Sequence, residues 1–163
     1  MPACDPPLED DRFQRDVARM LLTFFAVAAI DLVAISLVTH RPYAGTDNGL
    51  MIEVDPGHFE EMVITALDGL PEEFGRLMQN VAVIVEHDPG PPGLLGLYEG
   101  IPLSSRRSDY AGVLPDRITI YRREVCAICR TEQEVADQVR RTVVHEIAHH
   151  FGIDDDRLTE LGW

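Results

Sequence analysis

Near the end of the sequence, the segment His145-Glu146-Ile147-Ala148-His149 places two imidazoles and a carboxylate at a spacing that suits metal chemistry. Residues four apart on a helix differ by about 40° in direction and about 6 Å in rise, so both imidazoles can reach one ion from the same face. Glu146 is turned by about 100° from His145, where a general base can take a proton from a metal-activated water. The pattern therefore predicts His145 and His149 as metal ligands and Glu146 as the catalytic base.

The residues after this segment supply a candidate third ligand, Asp155. If the helix continued past His149, residue 155 would be turned by about 240° and carried about 9 Å onward, too far to bind the same ion. Gly152 can adopt the positive φ that ends a helix and turns the chain back. Two histidines and Asp155 would leave one position for water on a zinc ion, so we expect one Zn²⁺ per chain. Asp154 and Asp156 flank Asp155, and a one-residue change in the turn would exchange them.

The helix that carries these residues is predicted from both of its ends. Thr131 and Glu134 match the capping box that begins a helix, and Gly152 is suited to end it. His150 lies off the metal-binding face, and we interpret it as a residue behind the ligands or at the surface. Apolar residues recur between the two ends at helical spacing: Val135, Val139, Val143, Ile147 and Phe151.

Upstream of this helix, the sequence predicts two further helices and several short strands. Asp55 caps a helix that begins at Pro56, and Pro71 begins a second helical stretch to about residue 79. Residues 99–116 are expected to be mostly irregular. Buried apolar runs or period-two alternation predict strands at Met51–Val54, Val81–Glu86, Leu94–Tyr98 and Arg117–Arg122. We therefore expect a compact α+β domain.

Residues 51–163 resemble the minimal zincin family, small bacterial zincin-like metallopeptidase domains of about this length. Besides the segments above, the resemblance rests on residues 67–74 (LDGLPEEF), 80–83 (NVAV), 95–102 (LGLYEGIP) and 114–121 (LPDRITIY). It implies a small mixed β-sheet backed by helices, with the zinc-binding helix near the C-terminus. It also implies His145 and His149 as metal ligands and Glu146 as the base of peptide hydrolysis. Asp155 falls at the third-ligand position of the similar metzincin pattern.

Two functions from different classes remain open at this point. The first is a zinc metallopeptidase that hydrolyses a peptide or protein through a metal-activated water. The second is a zincin-fold module that binds metal or a partner without significant turnover. Only eight residues follow Asp155, so the Met-turn and C-terminal subdomain of larger metzincins are not expected, which favours the second function. The intact Glu146 favours the first, because a purely structural metal site needs no general base.

The net charge limits the kinds of partner to be expected, and the cysteine content indicates the cellular compartment. Acids outnumber bases 28 to 14, and the net charge of −14 argues against a nucleic-acid partner, since neutralising phosphates needs clustered basic residues. Three cysteines provide no disulfide framework, so we expect a reducing, cytoplasmic compartment. Cys126 and Cys129 form a single CxxC pair, which we interpret as incidental thiols in a surface loop.

Polar residues near the predicted strands could contact a substrate, although we interpret them as ordinary residues of the sheet surface: Tyr98, Glu99, Arg106, Arg107 and Tyr121. The strand Leu94–Tyr98 is the candidate for pairing with the backbone of an extended peptide.

The first 50 residues differ in composition from the rest. Residues 1–19 are predicted to form an acidic disordered tail, and residues 39–50 a linker. Between them, residues 20–38 form an apolar run that is long enough to cross a bilayer, although Asp31 makes insertion marginal. The run is therefore either a membrane anchor or part of a leader without function. Residues 51–163 are the predicted zincin-like domain.

Overall fold

The structure, a computed structural model, describes Val17 and residues 52–78, 80–106 and 114–160. Within residues 52–160 of this part, five helices and three strands follow one another, with a 3-10 turn at Leu103–Ser105 between the second and third strands. In chain order they are α1 Pro56–Asp68, α2 Glu72–Leu77, β1 Val81–Glu86, β2 Gly96–Glu99, β3 Asp116–Tyr121, α3 Arg122–Ile128, α4 Glu132–His150 and α5 Asp155–Glu160.

The strands form one mixed sheet in the order β1-β3-β2. β1 runs parallel to β3, with Val81 opposite Asp116 and Glu86 opposite Tyr121. β2 runs antiparallel to β3, with Gly96 opposite Ile120. A small mixed sheet with helices packed against it is the α+β architecture expected from the sequence.

The predicted helix α4 forms the centre of the fold. Thr131 caps it, because its hydroxyl oxygen accepts a hydrogen bond of 3.2 Å from the backbone N–H of Glu134. Its apolar stripe, which includes Val135, Val139, Val143 and Ile147, is fully buried. This face packs against α1, β2 and β3, so burial of apolar area holds the predicted metal-binding helix onto the sheet.

A histidine links the first turns of α1 and α4. The Nδ1 atom of His58 lies 3.3 Å from the Glu61 carboxylate, and its Nε2 atom pairs with Glu132. The hydrogen bonds that the His58 imidazole donates to the Glu61 and Glu132 carboxylates raise the pKa of His58 above its usual value. The link therefore favours the protonated histidine.

Several local expectations are corrected by the structure. Residues 52–55 form no strand, whereas Met51–Val54 was predicted to be one. The helix α3 follows β3 directly and was not predicted, because no side chain caps its first turn. Cys126 and Cys129 are only 4% and 6% exposed, because the side of α3 that carries Cys126 and the residue after the helix face the core. The two cysteines therefore do not lie in the surface loop expected from the sequence.

Most expectations for the first 51 residues fall outside the described part of the chain. Val17 is helical and buried against the core. The disordered tail 1–19, the apolar run 20–38, the linker 39–50 and the domain boundary at residue 51 stay predictions. Among the helices that the structure describes, none is long and apolar enough to cross a membrane.

Candidate metal centre

The structure brings the three predicted ligands together. One donor atom from each of His145, His149 and Asp155 lies within 4.8 Å of the others. The Oδ1 atom of Asp155 is 3.1 Å from His145 Nε2 and 3.4 Å from His149 Nε2. Around a tetrahedral zinc ion with ligands at about 2.1 Å, neighbouring donors lie about 3.4 Å apart. The donor types and their spacing therefore fit zinc.

Hydrogen bonding and burial prepare the two imidazoles to act as ligands. The Nδ1–H of His149 donates to the Ile153 carbonyl oxygen at 2.9 Å, which leaves the Nε2 lone pair facing Asp155. Metal-binding histidines usually have such a hydrogen bond behind them, because it fixes the tautomer and the ring orientation. Burial, with a smaller contribution from the neighbouring His149, lowers the pKa of His145 and so favours the neutral imidazole that binds a metal.

The turn after α4 explains why Asp155, rather than Asp154, faces the histidines. Gly152 has a φ of +84°, as predicted, and its N–H donates to the His149 carbonyl oxygen at 2.9 Å. The Asp154 carboxylate accepts a hydrogen bond of 2.8 Å from the Arg157 N–H and thereby caps α5, a helix that the sequence did not predict. Asp155 is the next residue, and the first turn of α5 directs its carboxylate toward the imidazoles.

Glu146 lies buried between α4 and β2, with 6% of its surface exposed. A Cβ added at Gly96 would lie 2.7 Å from Glu146 Oε1, so β2 approaches the carboxylate as closely as a glycine allows. Burial raises the pKa of Glu146, while the electrostatic effect of His149 and a hydrogen bond from the Tyr98 backbone N–H act in the opposite direction. A partly desolvated carboxylate with a raised pKa is suited to take up and release a proton.

A sequence model of the zincin-like metallopeptidase family matches residues 78–163, more than half of the chain. The chain belongs to the zincin-like metallopeptidase family. The matched range contains all three strands of the sheet and the whole of the candidate metal centre. No curated protein matches this zincin.

The zincin also contains a buried carboxylate that sequence reasoning missed. Asp116 begins β3, and its side chain is 1% exposed. It accepts hydrogen bonds from the Tyr98 hydroxyl at 2.6 Å, the Ile101 N–H at 3.3 Å and His150 Nδ1 at 3.0 Å, and it pairs with Arg106 at 2.5 Å. Burial alone would raise the pKa of this carboxyl, but the surrounding donors and the Arg106 charge outweigh burial and lower it.

This cluster decides one expectation and corrects two. His150 is fully buried behind the candidate ligands, which is the first of the two placements expected for it. The Tyr98 hydroxyl and the Arg106 guanidinium bind Asp116 and are not ordinary sheet-surface groups, whereas Glu99 forms an exposed pair with Arg117. Arg107 lies outside the described residues. One feature of the sequence could have indicated the buried role of Asp116. An acidic residue directly precedes the apolar alternation of β3, and a charge in such a place usually has a partner.

Proposed function

We propose that this zincin is a zinc peptidase that hydrolyses peptides or proteins. In this proposal His145, His149 and Asp155 hold one Zn²⁺, and Glu146 is the general base. The observation that carries the proposal is the juxtaposition of a cluster of zinc-type donors, on α4 and at the start of α5, with a buried carboxylate on α4 whose pKa is raised. A metal site that served structure alone would have no use for such a carboxylate.

Glu146 would perform both proton transfers. When bound, zinc would supply Lewis acidity toward the scissile carbonyl and make water more acidic. The Glu146 carboxylate accepts the proton of the attacking water and then donates it to the leaving amine. Burial raises the pKa of Glu146 above its ordinary value, and the hydrogen bond from the Tyr98 N–H favours the ionised form. The carboxyl group can therefore act first as a base and then as an acid.

The strand β2 is the proposed binding site for the substrate backbone. It has a strand neighbour on one side only among the described residues, and it lies against Glu146. An extended peptide that paired with this edge would gain main-chain hydrogen bonds and would bring its backbone beside the carboxylate. This arrangement supports a peptide as the substrate class.

The test separates metal binding from turnover in three variants of the full chain. Glu146→Gln should bind zinc with nearly wild-type affinity and lose peptide hydrolysis, because this side chain transfers protons and binds no metal. Asp155→Ala should lose both properties, because it removes a ligand. Asp156→Ala is the matched control and should retain both. Zinc titration of the apoproteins and digestion of a peptide library measure the two properties. Equal loss of zinc from Glu146→Gln and Asp155→Ala would contradict these roles.

The same measurements decide on a second candidate, a zincin-fold module that binds metal without turnover. The exposure of Asp155, at 78% of its side chain, favours this candidate, because the donor cluster is open to a protein partner on that side. Stoichiometric zinc binding by the wild-type chain, with every library peptide left intact, would support the module.

A further inference from the structure

The buried carboxylate of Asp116 lies behind the candidate metal centre and binds three separate segments that surround it. The Tyr98 hydroxyl belongs to β2, and His150 is the last residue of α4. Ile101 and Arg106 lie on either side of the 3-10 turn. Since Asp116 is itself part of β3, one side chain connects four pieces of the fold.

Each connected segment carries or supports a group of the candidate site. In β2, Tyr98 donates its backbone N–H to Glu146 and its hydroxyl to Asp116. In α4, His150 is adjacent to the predicted ligand His149. The 3-10 turn supports the loop that leads to Asp155, because a Cβ at Gly152 would overlap Ser104 of that turn.

The space for the Asp116 carboxylate is itself built into the chain. A Cβ added at Gly100 would lie 2.5 Å from Asp116 Oδ1 and 2.7 Å from Asp116 Cβ, so only a glycine admits the carboxylate there. Arg106 is almost as buried as its partner, with 11% of its side chain exposed. A buried pair with further hydrogen bonds holds a defined geometry, because any displacement leaves charges unpaired in a low-dielectric interior.

We propose that Asp116 is a positioning residue of the active site, which sets the geometry of the metal donors and of Glu146 by holding β2, the 3-10 turn and the end of α4 together. This proposal rests on the proposed zinc peptidase function. Asp116 is not among the donors of the candidate metal centre. It acts through His150 on His149, through Tyr98 on Glu146 and through the turn on the chain before Asp155.

The test compares Asp116→Asn with Glu99→Gln in the full chain, with Co²⁺ as the probe. Both variants replace an arginine-paired carboxylate by an amide, but the Glu99 pair with Arg117 is exposed, with 45% and 52% of the two side chains accessible. The visible absorption of bound Co²⁺ reports the geometry of its ligands. Asp116→Asn should bind Co²⁺ about ten-fold to a hundred-fold more weakly with an altered spectrum, as is typical when a partner behind a metal ligand is removed. Glu99→Gln should bind Co²⁺ with the wild-type affinity and spectrum.

Tyr98→Phe is the second variant, because it removes one donor, keeps the ring and leaves the buried ion pair with Arg106 intact, so it should fold even if Asp116→Asn does not. It should lower kcat more than it changes KM, because it releases β2 behind Glu146. The proposal would be overturned if folded Tyr98→Phe had the wild-type Co²⁺ spectrum, Co²⁺ affinity and kcat. It would also be overturned if folded Asp116→Asn had the wild-type Co²⁺ spectrum and affinity. If the wild-type chain binds Co²⁺ but cleaves no peptide, the peptidase proposal fails, and the Co²⁺ comparison still decides the role of Asp116.

Discussion

Gly152 offers the most direct test of how the turn after α4 places the third donor. Its φ of +84° lies in the left-handed region, and a Cβ there would overlap the Ser104 hydroxyl and lie 2.9 Å from Ser104 Cβ. The substitution Gly152→Ala therefore imposes two costs at one position. The first is backbone strain, and the second is steric overlap with the 3-10 turn.

Both costs can be assigned magnitudes. A non-glycine residue in the left-handed region costs about 1–2 kcal/mol, and overpacking costs about 1–3 kcal/mol, so Gly152→Ala should destabilise the protein by about 2–5 kcal/mol. Relief of the overlap with Ser104 Cβ requires a shift of about 0.5 Å to reach the ordinary contact distance of 3.4 Å. Metal–ligand distances vary by only about 0.2 Å, so a shift of this size in the chain before Asp155 should weaken zinc binding at least ten-fold.

Urea unfolding in the presence of a chelator measures the stability of each variant without the contribution of bound metal, and zinc titration measures affinity separately. Gly93→Ala is the matched control, because Gly93 has a φ of +78° and nothing lies within 4 Å of its added Cβ. It should lose about 1–2 kcal/mol of stability and keep wild-type zinc affinity. The double variant Gly152→Ala/Ser104→Gly removes the overlapping atoms and should recover part of the lost affinity.

The contrary outcome is a Gly152→Ala protein that binds zinc as tightly as the wild type and loses no more stability than Gly93→Ala. In that case the turn would tolerate the methyl group, and the position of the third donor would not depend on the contact between Gly152 and Ser104.

Three further predictions concern separate parts of the chain. Gly96→Ala should lower kcat about ten-fold or more with little change in zinc affinity, because the added Cβ would lie 2.7 Å from Glu146 Oε1 and would push the carboxylate away. Wild-type turnover in this variant would show that the carboxylate can move without loss of activity. Cys129 should resist iodoacetamide in the folded protein and react after unfolding in urea, because burial raises the pKa of its thiol to about 12; rapid labelling of the folded chain would contradict this. His58→Gln should destabilise the protein most below about pH 6.5. The difference in unfolding free energy between the wild type and the variant should shrink as the pH rises through the raised folded-state pKa of His58, because the histidine then loses its proton and its contribution to stability. A difference that stayed constant with pH would argue against the link between α1 and α4.

The part of the candidate site that could be predicted from the sequence is the part that depends on helix periodicity, helix capping and turn formation within a short segment. The helix α4 follows from its apolar spacing and from the Thr131 cap, and the turn follows from a glycine that alone adopts positive φ without strain. Because His145, His149 and Asp155 all lie on this helix and in the segment after it, their proximity could be anticipated without knowledge of the rest of the fold.

The parts that sequence reasoning missed depend on contacts between distant segments or on very short elements. The seven-residue helix α3 has no capping side chain, and the six-residue α5 is capped by Asp154, whose capping role no pattern in the sequence indicated. The Asp116 cluster joins residues 18 and 34 positions away, so no local periodicity signals it. Tertiary context alone identifies these residues.

The sequence separation of the contacts around Asp155 and Asp116 has a consequence for the order in which the site is completed during folding. His145 and Asp155 close a loop of ten residues, whereas His150 and Asp116 close one of 34. The longer closure costs about 1 kcal/mol more in chain entropy, and it also requires the sheet to be in place. Formation of the helix and its turn is thus favoured before the network behind them closes. Under the proposed function, a nascent chain at that stage would have the candidate donors for a metal ion before β2 held Glu146 in place, so metal binding would precede the onset of hydrolysis.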